Sequence, residues 1–227
     1  MLAKIKGVII SEIPYKESSK IINVFTSEGI IGIIAKGAYK PKSIYVNLTS
    51  KLTYGIFHIN KRVGLSSLIE VDVVDSLKNI KKDLYKISYA SFITDLSVQV
   101  YNHDNDSKIY DLYIASLLKI NDGFDPLVIS NILELKLLDF LGIRPIIDKC
   151  SVCGNSNDIV TISSYKGGYV CKNCLNNDII VNVKTIKLIR MFYYVDIAKI
   201  SKLDISDNIK EEINRFLDLY YDRYSGL

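Results

Sequence analysis

All four cysteines of the chain fall in one pattern, C-x2-C-x17-C-x2-C, at Cys150, Cys153, Cys171 and Cys174. Two residues between thiols let one tight turn aim both sulfurs at a single point, and two such turns complete a tetrahedron around a thiophilic ion. Gly154, directly after the second cysteine, offers the open backbone conformation such a turn requires. The spacing favours one structural zinc ion, Zn2+. Three other uses of four cysteines compete with it: two disulfides, which a reducing cytosol opposes; a redox C-x-x-C, which needs one pair on a thioredoxin-like unit; and an iron–sulfur cluster. A full set of thiolates leaves an ion no open position for water or substrate, so the site reads as structural. For a stretch as poor in apolar residues as "NSNDIVTISSYKGG" (155–168), metal binding worth about 10–16 kcal/mol decides whether it folds at all. No H-x-E triplet stands near these cysteines, which removes zinc-dependent base deamination.

The remainder of the chain must fold around this insert, and at 48% apolar residues over 227 it can bury a core of its own. The opening "MLAKIKGVIISE" ends its apolar run at Ile10, too soon for a signal peptide, and no 18-residue apolar window exists to span a membrane. A cytoplasmic protein is expected. The net charge of +4 is unevenly spread: residues 1–62 hold ten Lys/Arg against three Asp/Glu, while residues 81–149 hold eight against ten. An excess of cations confined to one segment is the sequence footprint of a surface for an anionic polymer.

That segment reads as strands. "KIKGVIIS" (4–11), "KIINVFT" (20–26), "IIGIIAK" (30–36), "KLTYGIFHI" (51–59) and "SLIEVDVVDS" (67–76) are short, rich in Ile, Val, Phe and Thr, and separated by Gly, Pro, Ser and Asn. Five strands with a longer excursion between the third and fourth predict a small Greek-key barrel of the OB type, with an SH3-like barrel as the rival. From Asn79 the period changes to helical, over 80–101, 107–120, a helix N-capped by Asp125 with Pro126 in its first turn, 185–200 and 206–221. The expected architecture is α+β and multidomain: an OB barrel over 1–78, a helical domain over 79–147 and 180–227, and a four-cysteine zinc module over 148–179 inserted between its helices.

In an OB barrel the binding face is framed by the loops joining strands 1 to 2 and 4 to 5. Here these carry Lys16, and Lys61 with Arg62; Lys20, Lys36, Lys40 and Lys42 extend the set, and Tyr39 stands between two of the lysines. Cations interleaved with aromatic rings suit a single-stranded nucleic acid, with phosphates on the lysines and a base stacked on the ring. His58 and His103 fall in no metal or triad pattern, and the chain has no P-loop, dinucleotide fingerprint or nucleophile elbow. The residues point to a binding protein with no small-molecule substrate and no catalytic set.

Two stretches carry a resemblance. "KGVIISEIPYKESSKIINVFTSEGIIGIIAKGAYKPKS" (6–43) resembles the N-terminal barrel of the bacterial RecO family, with its G-x-V opening, Y-x-E-x-S-K segment and A-K-G followed by basic residues. "LELKLLDFLGIRPIIDKCSVCG" (133–154) resembles the family's helix ending in L-G-x-x-P and running into C-x-x-C-G. The resemblance implies a DNA repair and recombination mediator that is not an enzyme. Such a protein binds single- and double-stranded DNA, anneals complementary strands, and works with RecR to load RecA on DNA covered by single-strand-binding protein. It implies a cytoplasmic, nucleoid-associated protein without a membrane partner. Lys20, Lys36, Lys40 and Lys42 match basic positions of the family pattern, whereas Tyr39 stands where arginine is frequent and "NLTSKL" (47–52) replaces a Leu-x-Pro-Phe stretch. A zinc-ribbon RNA-binding or transcription-associated factor is the alternative function.

Overall fold

The computed structural model describes residues 1–40 and 42–227. Five strands, β1 (Leu2–Tyr15), β2 (Ser19–Thr26), β3 (Gly29–Ala35), β4 (Tyr54–Asn60) and β5 (Ser66–Asp75), close into a barrel in the order β1-β2-β3-β5-β4. This is the OB-type barrel the strand pattern predicts. Every pairing is antiparallel except β3 with β5, and β1 is long enough to pair with β2 through its second half and β4 through its first. A bulge between Ile9 and Ser11 bends β1 from one neighbour to the other. Gly7, near that crossing, has room for no side chain, since a Cβ would come within 2.4 Å of the Phe25 carbonyl oxygen. Alternation puts Ile9, Ile22, Val24, Ile33, Phe57, Ile59 and Val71 into one core.

The excursion between β3 and β4 holds the single turn α1 (Tyr45–Leu48) and returns to the barrel where Leu52 donates to the Ile9 carbonyl at 2.8 Å and Ile9 to the Thr53 carbonyl at 3.0 Å. Beyond β5 come the short α2 (Lys78–Lys81), α3 (Leu84–Asp104) and α4 (Ser107–Asn121). Asp83 and Asp106 cap α3 and α4 by accepting from backbone N–H groups of their first turns, so the cap of α4 is Asp106 and not the adjacent Ser107. Phe25 reaches out of β2 into a cage of Tyr101, Tyr110 and Tyr113, with ring centroids at 5.3, 5.5 and 5.5 Å. Asn121 ties α4 to α2, accepting from the Asn79 N–H at 3.0 Å. These contacts gather Met1–Asp122 into one compact unit.

Gly123–Leu227 form the second unit. Its central helix is α5 (Pro126–Phe140), whose N-cap Asp125 accepts from Leu127 and Val128 with Pro126 in the first turn, as the sequence predicts. The hairpin β6 (Ile159–Ser163) and β7 (Gly168–Cys171) follows, then α6 (Val183–Tyr194) and α7 (Asp207–Tyr224). The apolar run over 185–200 is not one helix: Val195 leaves helical conformation, and Asp196 caps a separate 3-10 turn, Ile197–Lys199, by accepting from the Ala198 N–H at 3.1 Å. No helix of the described residues is long and apolar enough to cross a membrane.

Candidate nucleic-acid interface and metal centre

Strand register makes the segments that carry the predicted basic residues leave the barrel at neighbouring strand ends. Lys20 opposes Ala35 across β2 and β3, Ile33 opposes Ser66 across β3 and β5, and Asn60 opposes Ser67 across β4 and β5. The turn after β1 with Lys16, the segment after β3 with Lys36, Lys40 and Lys42, and the β4–β5 loop with Lys61 and Arg62 therefore leave the barrel from adjacent positions. The first two segments are joined directly: the Tyr39 N–H donates to the Ser18 carbonyl at 3.0 Å and the Gly37 N–H to Ser19 Oγ at 3.4 Å. Gly37 sits at φ +69, a turn conformation that glycine adopts without strain.

Lys16, Lys36, Lys40, Lys42, Lys61 and Arg62 are exposed, and among the described residues none of them makes an ion pair. The Lys16 ammonium lies over the Tyr15 ring at 5.4 Å. Lys20 differs. It is 2% exposed and ion-paired with Glu12, so the phosphate contact expected of it from sequence is corrected to an internal one. The signal was present in the period of β2, since Lys20 shares a face with the buried Ile22 and Val24. Glu12, its partner, was not anticipated. Tyr39 is 44% exposed with the Lys20 ammonium 5.3 Å from its ring centroid. Tyr45, in the same excursion, is a brace whose hydroxyl donates to the Ile69 carbonyl at 2.9 Å.

In the second unit the four cysteine sulfurs lie within 4.8 Å of one another, and Cys153 Sγ and Cys171 Sγ are 3.6 Å apart. Four thiolates on a tetrahedral ion at about 2.3 Å lie about 3.8 Å apart, close to the Cys153–Cys171 separation, so the four sulfurs are gathered closely enough to hold one metal ion. Cys150 and Cys171 are buried and Cys153 is exposed. The first knuckle closes where Gly154 donates to the Cys150 carbonyl at 2.9 Å, with Gly154 at φ +77. Burial opposes a charge on Cys150, but backbone N–H groups of Cys153, Cys171 and Val152 outweigh it and hold the thiol down at about 6, on the side of a metal-ligating thiolate.

Two supports of this centre escaped the sequence. Lys166 donates to the Cys174 carbonyl at 2.8 Å and pairs with Asp178 at 2.5 Å, joining the hairpin tip to the second knuckle; the Lys166–Asp178 pair holds the Asp178 carboxyl below its ordinary range despite its partial burial. Gly168 lets the hairpin touch the segment after α5: it bridges Ile146, whose carbonyl oxygen would lie 2.2 Å from an added Cβ. Neither is marked by spacing or charge pattern.

Comparison with known proteins places this geometry. Residues 1–77 match the family model described as Recombination protein O N terminal, and residues 81–227 the one described as Recombination protein O C terminal. The chain belongs to the RecO family. It is similar over its whole length to the DNA repair protein RecO of Halalkalibacterium halodurans, at 32% identity with 91% of that protein covered. The RecO protein of Bacillus cytotoxicus is 33% identical with 94% covered, and that of Listeria monocytogenes serotype 4b is 31% identical with 91% covered. The OB-type barrel, the helical C-terminal part and the four-cysteine centre of this RecO family member agree with the resemblance read from its two motifs.

Proposed function

We propose that this protein is a recombination mediator that binds single- and double-stranded DNA along the barrel edge, anneals complementary strands, and helps RecR place RecA on DNA covered by single-strand-binding protein. The observation that carries the reading is the set of six exposed cations without an ion pair among the described residues, Lys16, Lys36, Lys40, Lys42, Lys61 and Arg62, in the segments that leave adjacent strand ends of an OB-type barrel. Cations on flexible stems bind the phosphate backbone and leave base edges free, which is what pairing with a second strand requires. Screening of the two backbones removes the repulsion that slows the encounter of two strands.

The segment 1–78 is assigned to DNA, the near-neutral helical segments 79–147 and 180–227 to protein partners, and the module 148–179 to structure. Zinc is the ion the four thiolates suit, held by Cys150, Cys153, Cys171 and Cys174. When bound it supplies a cross-link with no open coordination position. No turnover of a small substrate is assigned to any residue.

Strand annealing tests the reading. Two complementary DNA oligonucleotides, one with a donor and one with an acceptor dye, are expected to pair at least about tenfold faster with the protein at low salt, and the gain is expected to vanish at high salt. No acceleration on DNA, or acceleration confined to RNA, would replace this function with that of an RNA-binding factor.

A further inference from the structure

Lys20 stands inside the protein where six neighbouring cations stand outside it. Its alkyl chain runs with the buried face of β2, its ammonium is paired with the Glu12 carboxylate, and the same ammonium lies 5.3 Å from the centroid of the Tyr39 ring. A buried ammonium needs a charge partner to offset its desolvation, and Glu12, a third of whose side chain reaches solvent, supplies it, so Lys20 is not placed as a solvent-facing contact. Its effect falls on Tyr39. The ring is held by the cation on one side, its backbone is held by the 3.0 Å bond to Ser18, and 44% of the residue remains open to solvent, between the exposed Lys36 and Lys40. A ring fixed in this way has lost its rotamer freedom before any ligand arrives, which is the main cost of using a side chain as a stacking surface. The cation is attracted to the ring, and the residue still keeps 44% of its surface open.

We propose that Lys20, buried on Glu12, is a positioning residue that fixes Tyr39 as a platform for one unpaired nucleobase, so that recognition of single strands resides in this triad while the exposed lysines bind any backbone. Duplex DNA keeps its bases stacked internally and makes no use of the platform. The inference rests on the proposed DNA-binding role of the barrel edge and adds a division of labour to it.

The test compares two labelled probes of equal length on the full chain: a single-stranded DNA and an abasic strand carrying the same phosphates. The wild type is expected to bind the base-bearing strand about 5- to 150-fold more tightly, the range for one stacked base. Tyr39→Leu, at an exposed position that leaves the barrel core untouched, is expected to bring the ratio close to one. The paired change Lys20→Met with Glu12→Gln removes both charges at similar volume and leaves no orphan. Checked for folding by circular dichroism, it is expected to lower the ratio to less than about twofold while abasic binding stays within about twofold of wild type. Lys20→Arg retains a cation for the ring and should keep the preference. A loss of structure would weaken both probes together and leave the ratio unmoved. A wild-type ratio of one, a ratio unchanged in Tyr39→Leu, or one retained in the folded double variant overturns the inference. If the abasic strand itself fails to bind in a salt-dependent way, it is the underlying DNA-binding reading that fails.

Discussion

Lys20 and Glu134 are both buried, and they meet the cost of a buried ionisable group in opposite ways. Lys20 keeps its charge beside a carboxylate. Glu134, on α5, has an oxygen, Oε2, with no hydrogen-bond partner among the described residues, and burial followed by the nearby Asp218 charge on α7 raises its pKa to about 8. It is therefore neutral in the folded protein near pH 7. The other α7 group against it is Tyr221, whose hydroxyl donates to the Glu134 carbonyl at 2.9 Å. A carboxyl whose folded value lies above its unfolded one favours folding below the unfolded value, about 4.5, and this contribution is lost as pH rises towards about 8. Asp218 is shifted in the same direction, by burial and then by Asp222, and adds to the trend. Thermal melts are thus expected to show falling stability from about pH 5 to 8, with a clearly shallower slope in Glu134→Gln. Equal slopes in both proteins would show that Glu134 is ionised in the fold. Nothing in the sequence singles out this residue, because burial of a glutamate on a helix that also carries Asn131, Lys136 and Asp139 depends on which elements surround it.

At the scale of elements, the four-cysteine module is where local sequence and local structure agree most closely. Two C-x-x-C turns dictate two knuckles, and the structure brings their sulfurs within 4.8 Å of one another. The seventeen-residue spacer is where reading fails: its hairpin, its Lys166–Asp178 pair and its bridge from Gly168 to Ile146 arise from contacts between segments that carry no shared pattern. The same contrast holds elsewhere. Period-two alternation revealed the barrel strands, and Asp125-Pro126 marked the start of α5, yet the apolar spacing over 185–200 hid the interruption at Asp196, where a side-chain cap outcompetes helix propagation. Because residues 152–158, which lead from the first knuckle into the hairpin, are exposed apart from Asn155, the order of this stretch should depend on the metal. Removal of the ion by a chelator is expected to open residues 152–158 to proteolysis, with affinity for single-stranded DNA changing less than about threefold, since the barrel lies in the other compact unit, Met1–Asp122. A large loss of DNA affinity on chelation would assign the nucleic acid to the module instead.

For the whole molecule, the decisive property is the sorting of charge. The first 62 residues carry the cationic excess; six of those cations are exposed, in segments that leave the barrel after β1, β3 and β4, while one, Lys20, is turned inward beside a tyrosine. The excess was legible in sequence because charges can be counted. The inward turn of Lys20 is the opposite case, since lysine chemistry argues for the surface and only the strand period places it inside. The central claim, that the exposed six form a track for a polyanion, is tested most directly by the salt dependence of binding to a labelled single-stranded DNA, followed by fluorescence anisotropy. Six phosphate contacts predict a log–log slope of roughly −4, reduced by about two when Lys36, Lys40 and Lys42 are replaced together by glutamine. A binding constant indifferent to salt, or a slope that the triple replacement leaves unchanged, would contradict it.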